Sequence, residues 1–476
     1  MFKKKTLAKP EQALTIRQML ILLGIAALYF IITALPAPAG LPPQGQKAIA
    51  LMVCVVLTWA TQVVPILISS TFFVFLSAAI GLFEKDVDAV KAFAGPTVFF
   101  MLASVLMALA LDHCGLCNRL TLKISVWSRG NAKLLILFLI AGSALLSSAL
   151  SNVSTFVAFL PIVLLLCKRN NCEKGKSNFA KASLIGIIFG SMMGGMGTPA
   201  GSPINIMALE LLEKNTGITM GFAEWTLLGM PIVLVSIPLL WLILIAVFPP
   251  EFKTLTGMEN VKDELAAIKK LNPQEIKFLA VTAVMVAVWF TDKFHGLSTT
   301  TTAIIFTTLY FLPGLKLLEP KHVTKKVDWT VIIMTGASIC LGTAMLNTGA
   351  SAWLAKIALA PFASWPPVLL AVVVAVFCVL LHILIPSCPA CVAVLIPTLT
   401  AFAEASNIPV MLLFFPVAFT VQQCWLLPFD PLPMVIYPEK HFSIRDFAKA
   451  GALGHAAVIA VVVAFVMLLC KPLGYF

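Results

Sequence analysis

Apolar runs follow one another along this whole chain, and many reach the roughly 18–20 residues that cross a bilayer as a helix. Lipid offers no partner to backbone N–H and C=O groups, so each such segment must satisfy its own. Of 476 residues, 60% are hydrophobic and only 11% charged, and mean hydropathy is +0.99. Too little polar surface remains to hydrate a soluble domain of this size. The expected fold is all-α: a polytopic membrane protein with about 11 transmembrane helices plus two re-entrant hairpins. The first span, 16–35, follows Lys3, Lys4, Lys5 and Lys9 and is long for a signal-peptide core, so it reads as an uncleaved helix. The net charge of +12 sits in short loops, which suits topology signals and anionic lipid headgroups, with no nucleic acid as partner.

Two stretches, 146–167 and 382–400, break the apolar pattern in the same way. Each is an apolar arm, a short polar break and a second arm with a proline ten residues after a serine. The breaks are Ser151-Asn152-Val153-Ser154-Thr155 and Ser387-Cys388-Pro389-Ala390-Cys391, with Pro161 and Pro397 at matching offsets. Non-helical backbone at membrane depth is tolerated only inside protein or along a cavity. Paired breaks in corresponding halves point to the substrate site of a secondary transporter. Each second arm starts a helix whose free N–H groups favour an anion. Ordinary capping by Ser and Asn is the plainer account of one break, but it does not explain the match between two.

Four regions are expected. Residues 1–45 hold the first helix, and 46–248 form a first repeat with its hairpin at 134–167. The polar stretch 249–276 is a cytoplasmic linker, and 277–476 form a second repeat with its hairpin at 367–403. Each repeat has three spans, a two-armed element and two spans, an odd number of crossings, so the second copy is inserted upside down. Arg119, Lys123, Arg129 and Lys133 precede the first two-armed element, and Lys168, Arg169, Lys174 and Lys176 follow it. Its counterpart has only Lys356 well before it and Glu404 after it. By the positive-inside rule the first hairpin opens to the cytoplasm and the second outward, with a cytoplasmic N-terminus and an external C-terminus.

A Gly/Pro-rich segment follows each hairpin, 194–205 in the first half and 427–433 in the second, and neither can remain continuous helix. Carbonyls freed there, with serine hydroxyls, suit a hard monovalent cation such as Na⁺; close helix packing through small residues is the plainer account of the glycines alone. Asp430 is an acid within a span, where charge costs roughly 2.5–3.5 kcal/mol, which makes it a candidate cation ligand or proton carrier. If the span ends sooner, it is a wet cap. His382 reads equally as a hydrogen-bonded core histidine. Eleven cysteines scattered through the spans suit buried free thiols. Cys388-Pro-Ala-Cys391 has thioredoxin-like spacing at a helix start, so a membrane thiol oxidoreductase is the competing function; the βαβ pattern that would accompany it is missing. No Walker motif or nucleophile elbow appears, and an enzyme is not expected.

The hairpins, Gly-Thr-Pro-Ala-Gly-Ser-Pro-Ile-Asn at 197–205 and the closing 441–451 segment together resemble the divalent anion/Na⁺ symporter family over essentially the whole chain. The resemblance implies homodimers with a scaffold domain, a transport domain that moves as a rigid body, and a site bounded by two Ser-Asn-Thr tips. It implies Na⁺ at Ser147, Ser151, Asn152 and Gly201, and substrate contacts at Asn152 and Ser202, with Val153, Pro203, Ser387, Cys388 and Pro389 around them. This chain departs from the family pattern in Val153, Cys388 and Pro389, which replace two threonines and an asparagine, and Asp430 stands where a neutral segment is expected. Exchanger members carry basic side chains near the tips, whereas Thr155 and Cys391 are neutral here. The function expected is Na⁺-coupled symport of a small divalent anion, a di- or tricarboxylate or sulfate, by elevator-type alternating access in the inner or plasma membrane. An anion exchanger of the same fold is the alternative.

Overall fold

The computed structural model describes residues 16–476 except 151, 257, 269, 328, 385–387, 428–430, 471, 473 and 476. Helices α1 (Ile16–Ala34), α2 (Pro43–Thr61), α3 (Ile66–Ala79), α4 (Asp86–Phe93), α5 (Pro96–Cys114) and α6 (Leu116–Trp127) come first. Arms α7 (Ala132–Ala149) and α8 (Asn152–Arg169) flank the first break, followed by α9 (Asn178–Gly194), α10 (Pro203–Thr216) and α11 (Phe222–Val247). After α12 (Met258–Ala267) come α13 (Pro273–Phe290), α14 (Asp292–His295), α15 (Thr299–Leu309), α16 (Pro320–Lys326), α17 (Trp329–Asn347) and α18 (Ala350–Leu359). Arms α19 (Pro367–Leu384) and α20 (Cys388–Ala405) flank the second break; α21 (Val410–Thr420), α22 (Pro431–Ile436) and α23 (Ile444–Phe465) close the chain. No β-strand forms among the described residues.

Among those residues eight helices are long and apolar enough to cross a membrane, and five more are apolar over 10–17 residues. Two of the eight, α7 and α20, are arms of the broken elements, so length alone does not separate crossing from re-entry. Phe72 and Phe75 on α3, Leu227 and Leu242 on α11 and Val284 on α13 are exposed. Outward faces built from such side chains suit hydrocarbon rather than water.

The interior is graded. α9 and α21 are buried almost end to end, with α7, α10, α20, α11 and α23 packed around them in the largest hydrophobic core. Two smaller cores lie beside it, one joining α5, α13 and α15 and the other α2, α3 and α17. α3 packs on α17, and α15 on α5. α7 and α9 pack closely along their lengths, which the sequence allows by spacing Gly186, Gly190 and Gly194 four apart. A Cβ at Gly194 would collide with the Ala144 carbonyl, which is backbone and cannot rotate away. Gly194→Ala is therefore expected to cost about 1–3 kcal/mol. The check is thermal unfolding in detergent against Gly24→Ala on α1, which meets nothing within 4 Å and should be neutral.

Polar loops gather at two ends. At one, Lys174 pairs with Glu439 (2.9 Å) and Lys181 with Asp446 (3.1 Å), Asn170 Oδ1 accepts from the Thr256 N–H (2.8 Å), and Glu251 accepts from the N–H groups of Asn178 and Phe179. At the other, Asp292 accepts from the Phe222 N–H (2.7 Å) and Lys293 pairs with Glu224 (2.6 Å). α11 runs from one group to the other.

The structure adds to several expectations. The stretch 249–276 carries structure of its own: α12 forms within it and packs on α6, with Val261 buried. Arg119 on α6 grips it further, donating to both carboxylate oxygens of Glu275 (2.8 and 2.9 Å) and to the carbonyls of Ile268 and Lys270. Helix α21 ends at Thr420, ahead of the Gly/Pro-rich segment at 427–433, whereas α9 ends at Gly194 where the segment 194–205 begins. The short helices α4, α6, α10 and α18 were not anticipated, because none carries an uninterrupted span-length apolar run.

Candidate functional site

The break after α9 is built so that its freed carbonyls find side-chain donors. Trp225 Nε1 donates to the Met196 carbonyl (2.8 Å) and Ser148 Oγ to that of Gly194 (2.8 Å). Asn205 Nδ2 donates to the carbonyls of Gly195 (2.7 Å) and Thr198 (2.8 Å). Irregular backbone survives away from water on these terms. The second break is served by histidines: His382 Nε2 lies 2.5 Å from the Val421 carbonyl, and His455 Nε2 2.7 Å from that of Gln423.

Those fixed carbonyls orient a chain of amides. Because Asn205 Nδ2 faces two carbonyls, its Oδ1 faces Gln422, whose Nε2 donates to it at 2.5 Å. Gln422 Oε1 is thereby left to accept from Asn152 Nδ2 at 3.3 Å. Asn152 Oδ1 then turns to Ser147 Oγ, 2.8 Å away, and Ser147 Oγ also lies 2.7 Å from the Ser191 carbonyl. The single Ser147 hydroxyl proton faces two acceptors, Asn152 Oδ1 and the Ser191 carbonyl, and the carbonyl also accepts from the Gly195 N–H (3.2 Å). A hydroxyl donates once, so the corner holds an excess of lone pairs. Gly201 sits beside it, buried in a short 3₁₀ turn (Pro199–Gly201) where a Cβ would press on the carbonyls of Gly195 and Ser147. Neutral hard oxygens and freed carbonyls of this kind suit Na⁺, and the residues present fit that ion.

The other expected residues fall as follows. Val153 lies in the first turn of α8. Ser202 caps α10, its Oγ accepting from the Ile204 N–H (3.3 Å), and Pro203 is the first residue of that helix. Both are buried, and the Ser202 hydroxyl is engaged in that cap. Cys388 opens α20, half-buried, with Pro389 next to it. Ser151, Ser387 and Asp430 lie outside the described residues. Both tips reach one segment: Asn152 touches Gln422, and Cys388 Sγ lies 3.9 Å from Cys424 Sγ two residues further on. Gln422 and Asn205 are the participants that sequence reasoning missed. A cleft of about 640 Å³ lies elsewhere, lined by Lys168, Lys174, Glu439 and His441 at the far ends of α8 and α22, and takes no part in this geometry.

The family model of the sodium:sulfate symporter transmembrane region matches residues 16–476. The chain belongs to that family. Among its curated relatives, the sodium-dependent dicarboxylate transporter SdcS of Staphylococcus saprophyticus is 26% identical, the match covering 94% of this chain and 91% of the relative. SdcS of Staphylococcus aureus (strain USA300) is also 26% identical, over 98% and 94%. A solved structure, the Alcanivorax borkumensis YdaH transporter, described as having an unusual topology, superposes with a TM-score of 0.50 at 14% identity, covering 98% of this chain and 99% of that one. That likeness speaks to the fold alone. The protein is thus a multi-pass membrane protein and a secondary transporter rather than an enzyme.

Proposed function

We propose that this symporter imports a small divalent anion, a di- or tricarboxylate or sulfate, driven by Na⁺. The carrying observation is the oxygen corner at Ser147, Asn152 and Ser191, where one hydroxyl proton faces two acceptor oxygens beside a helix start. A bound Na⁺ relieves that excess of lone pairs and leaves its charge next to the free N–H groups of α8, where an anion is held. Thr155 and Cys391, in the first turns of the second arms, are neutral, so the cation is the natural counter-charge for the substrate. The dicarboxylate named for the SdcS relatives and the sulfate named for the family share this requirement.

The element order supports two oppositely inserted repeats, 46–248 and 277–476, since α3 on α17 is answered by α15 on α5. Lys168, Arg169, Lys174, Lys176 and Lys253 lie near the end of α11 that residues 249–256 join, which supports a cytoplasmic location for that end and an external C-terminus. The large core around both breaks would travel against the two smaller ones in an elevator-like stroke. The test is uptake of labelled succinate, citrate and sulfate into proteoliposomes with and without an inward Na⁺ gradient. Uptake that follows the gradient is expected. Uptake indifferent to Na⁺ but dependent on internal anion would replace this reading with exchange.

A further inference from the structure

Beside the second tip stands a different kind of site. His382 on α19, Cys388 at the start of α20 and Cys424 in the break after α21 bring one ligand atom each to within 4.8 Å of one another. We propose that His382 Nδ1, Cys388 Sγ and Cys424 Sγ bind a thiophilic transition-metal cation of the Zn²⁺ type. This site is separate from the oxygen corner and does not depend on what the protein transports.

The spacing is that of a coordination shell. Tetrahedral zinc with Zn–S about 2.3 Å and Zn–N about 2.0 Å holds its ligand atoms roughly 3.5–3.8 Å apart. Here the two sulfurs are 3.9 Å apart, and Cys424 Sγ lies 3.4 Å from His382 Nδ1. The imidazole is held as metal-binding histidines are held. Its Nε2–H donates to the Val421 carbonyl, which fixes the tautomer and leaves Nδ1 unprotonated as the ligand atom. Ligand softness separates this site from Na⁺: two thiols and an imidazole select a zinc-like ion over a hard monovalent one. Binding would release both thiol protons. Two thiolates then cancel the ion's double charge, so the loaded site adds no net charge at membrane depth. Three protein ligands leave the fourth position to a water or a small anion. Cys388 and Cys424 are half-buried rather than sealed, which gives the ion a way in. The cluster is no thioredoxin-type pair, because the partner of Cys388 is Cys424, far along the chain.

Cobalt makes the test independent of transport. Co²⁺ is titrated into full-length, reduced, detergent-purified protein freed of any affinity tag. The expected result is one equivalent bound per chain, with a thiolate-to-cobalt charge-transfer band and tetrahedral d–d bands that Zn²⁺ bleaches. His382→Ala, Cys388→Ser and Cys424→Ser should each weaken binding by more than the roughly 10–100-fold that outer-shell changes cost. Cys54→Ser should leave it intact, since Cys54 Sγ only donates to the Ile25 carbonyl and serine does the same. Monodispersity on size exclusion separates lost ligands from lost fold. The proposal is overturned if the wild-type protein gives no charge-transfer band, if the band survives in Cys388→Ser, or if rapid alkylation finds Cys388 and Cys424 joined as a disulfide in freshly isolated protein.

Discussion

Arg119→Ala should lower the unfolding free energy by about 3–5 kcal/mol, the usual result of removing one partner from a buried ion pair. Arg119 and Glu275 are almost fully buried, their side chains 6% and 1% exposed. The guanidinium meets the carboxylate through two near-parallel hydrogen bonds, the geometry only arginine provides. Its remaining donors hold the carbonyls of Ile268 and Lys270, and Glu275 also accepts from the Asn272 N–H at the start of α13. Alanine would leave a buried carboxylate and two carbonyls unpaired at once. Lysine would supply charge without the fork and should recover only part of the loss. The double variant Arg119→Met, Glu275→Leu separates charge from packing. Apolar replacement of a buried pair is often neutral, so most of the stability should return, short of about 1 kcal/mol for the lost cap of α13. Thermal unfolding in a fixed detergent measures all three. An alanine variant that melts with the wild type would mean the 249–276 segment is not anchored through this pair.

That anchor also marks where sequence reasoning stops. The apolar runs and the Gly/Pro-rich break at 194–205 were legible because each is a local pattern whose physical consequence is immediate. The start of α19 at Pro367 fell where the expected hairpin 367–403 begins, because a proline sets it. Arg119 and Glu275 lie far apart in the chain, and nothing near either says that it has a buried partner. The polar composition of 249–276 therefore read as a linker, although its Met258–Ala267 helix packs on α6. Gln422 was lost for a subtler reason. Val421-Gln422-Gln423-Cys424-Trp425 contains no glycine or proline, so the span ran on through it. Two adjacent glutamines inside an otherwise apolar run were the available signal. Lipid does not tolerate four unpaired amide positions, so they must face protein or a cavity. Asn205 was visible inside its motif, but its work of fixing the orientation of Gln422 is tertiary.

Asn152→Ala should abolish most Na⁺-driven uptake and weaken Na⁺ itself by about 10–100-fold, the equivalent of one charge-assisted contact at roughly 1.5–3 kcal/mol. The side chain has two duties. Its Oδ1 belongs to the oxygen corner with Ser147, while its Nδ2 ties the first tip to Gln422. Alanine ends both, so cation binding and the join between tip and break are lost together. Asn152→Asp divides them: an oxygen stays at the corner with added negative charge, but the donor to Gln422 Oε1 disappears. Na⁺ should therefore bind Asn152→Asp at least as well as the wild type, while the anion, repelled by the new charge beside the α8 N-terminus, is no longer carried. Gln422→Ala keeps the corner and removes only the bridge, so its loss should fall mainly on uptake rather than on Na⁺ affinity. Na⁺-dependent thermal shifts report the first property and proteoliposome uptake the second. If Asn152→Ala keeps the wild-type Na⁺ shift, the ion binds somewhere other than the Ser147–Asn152 corner. If Asn152→Asp still carries a divalent anion, the substrate does not sit against that tip.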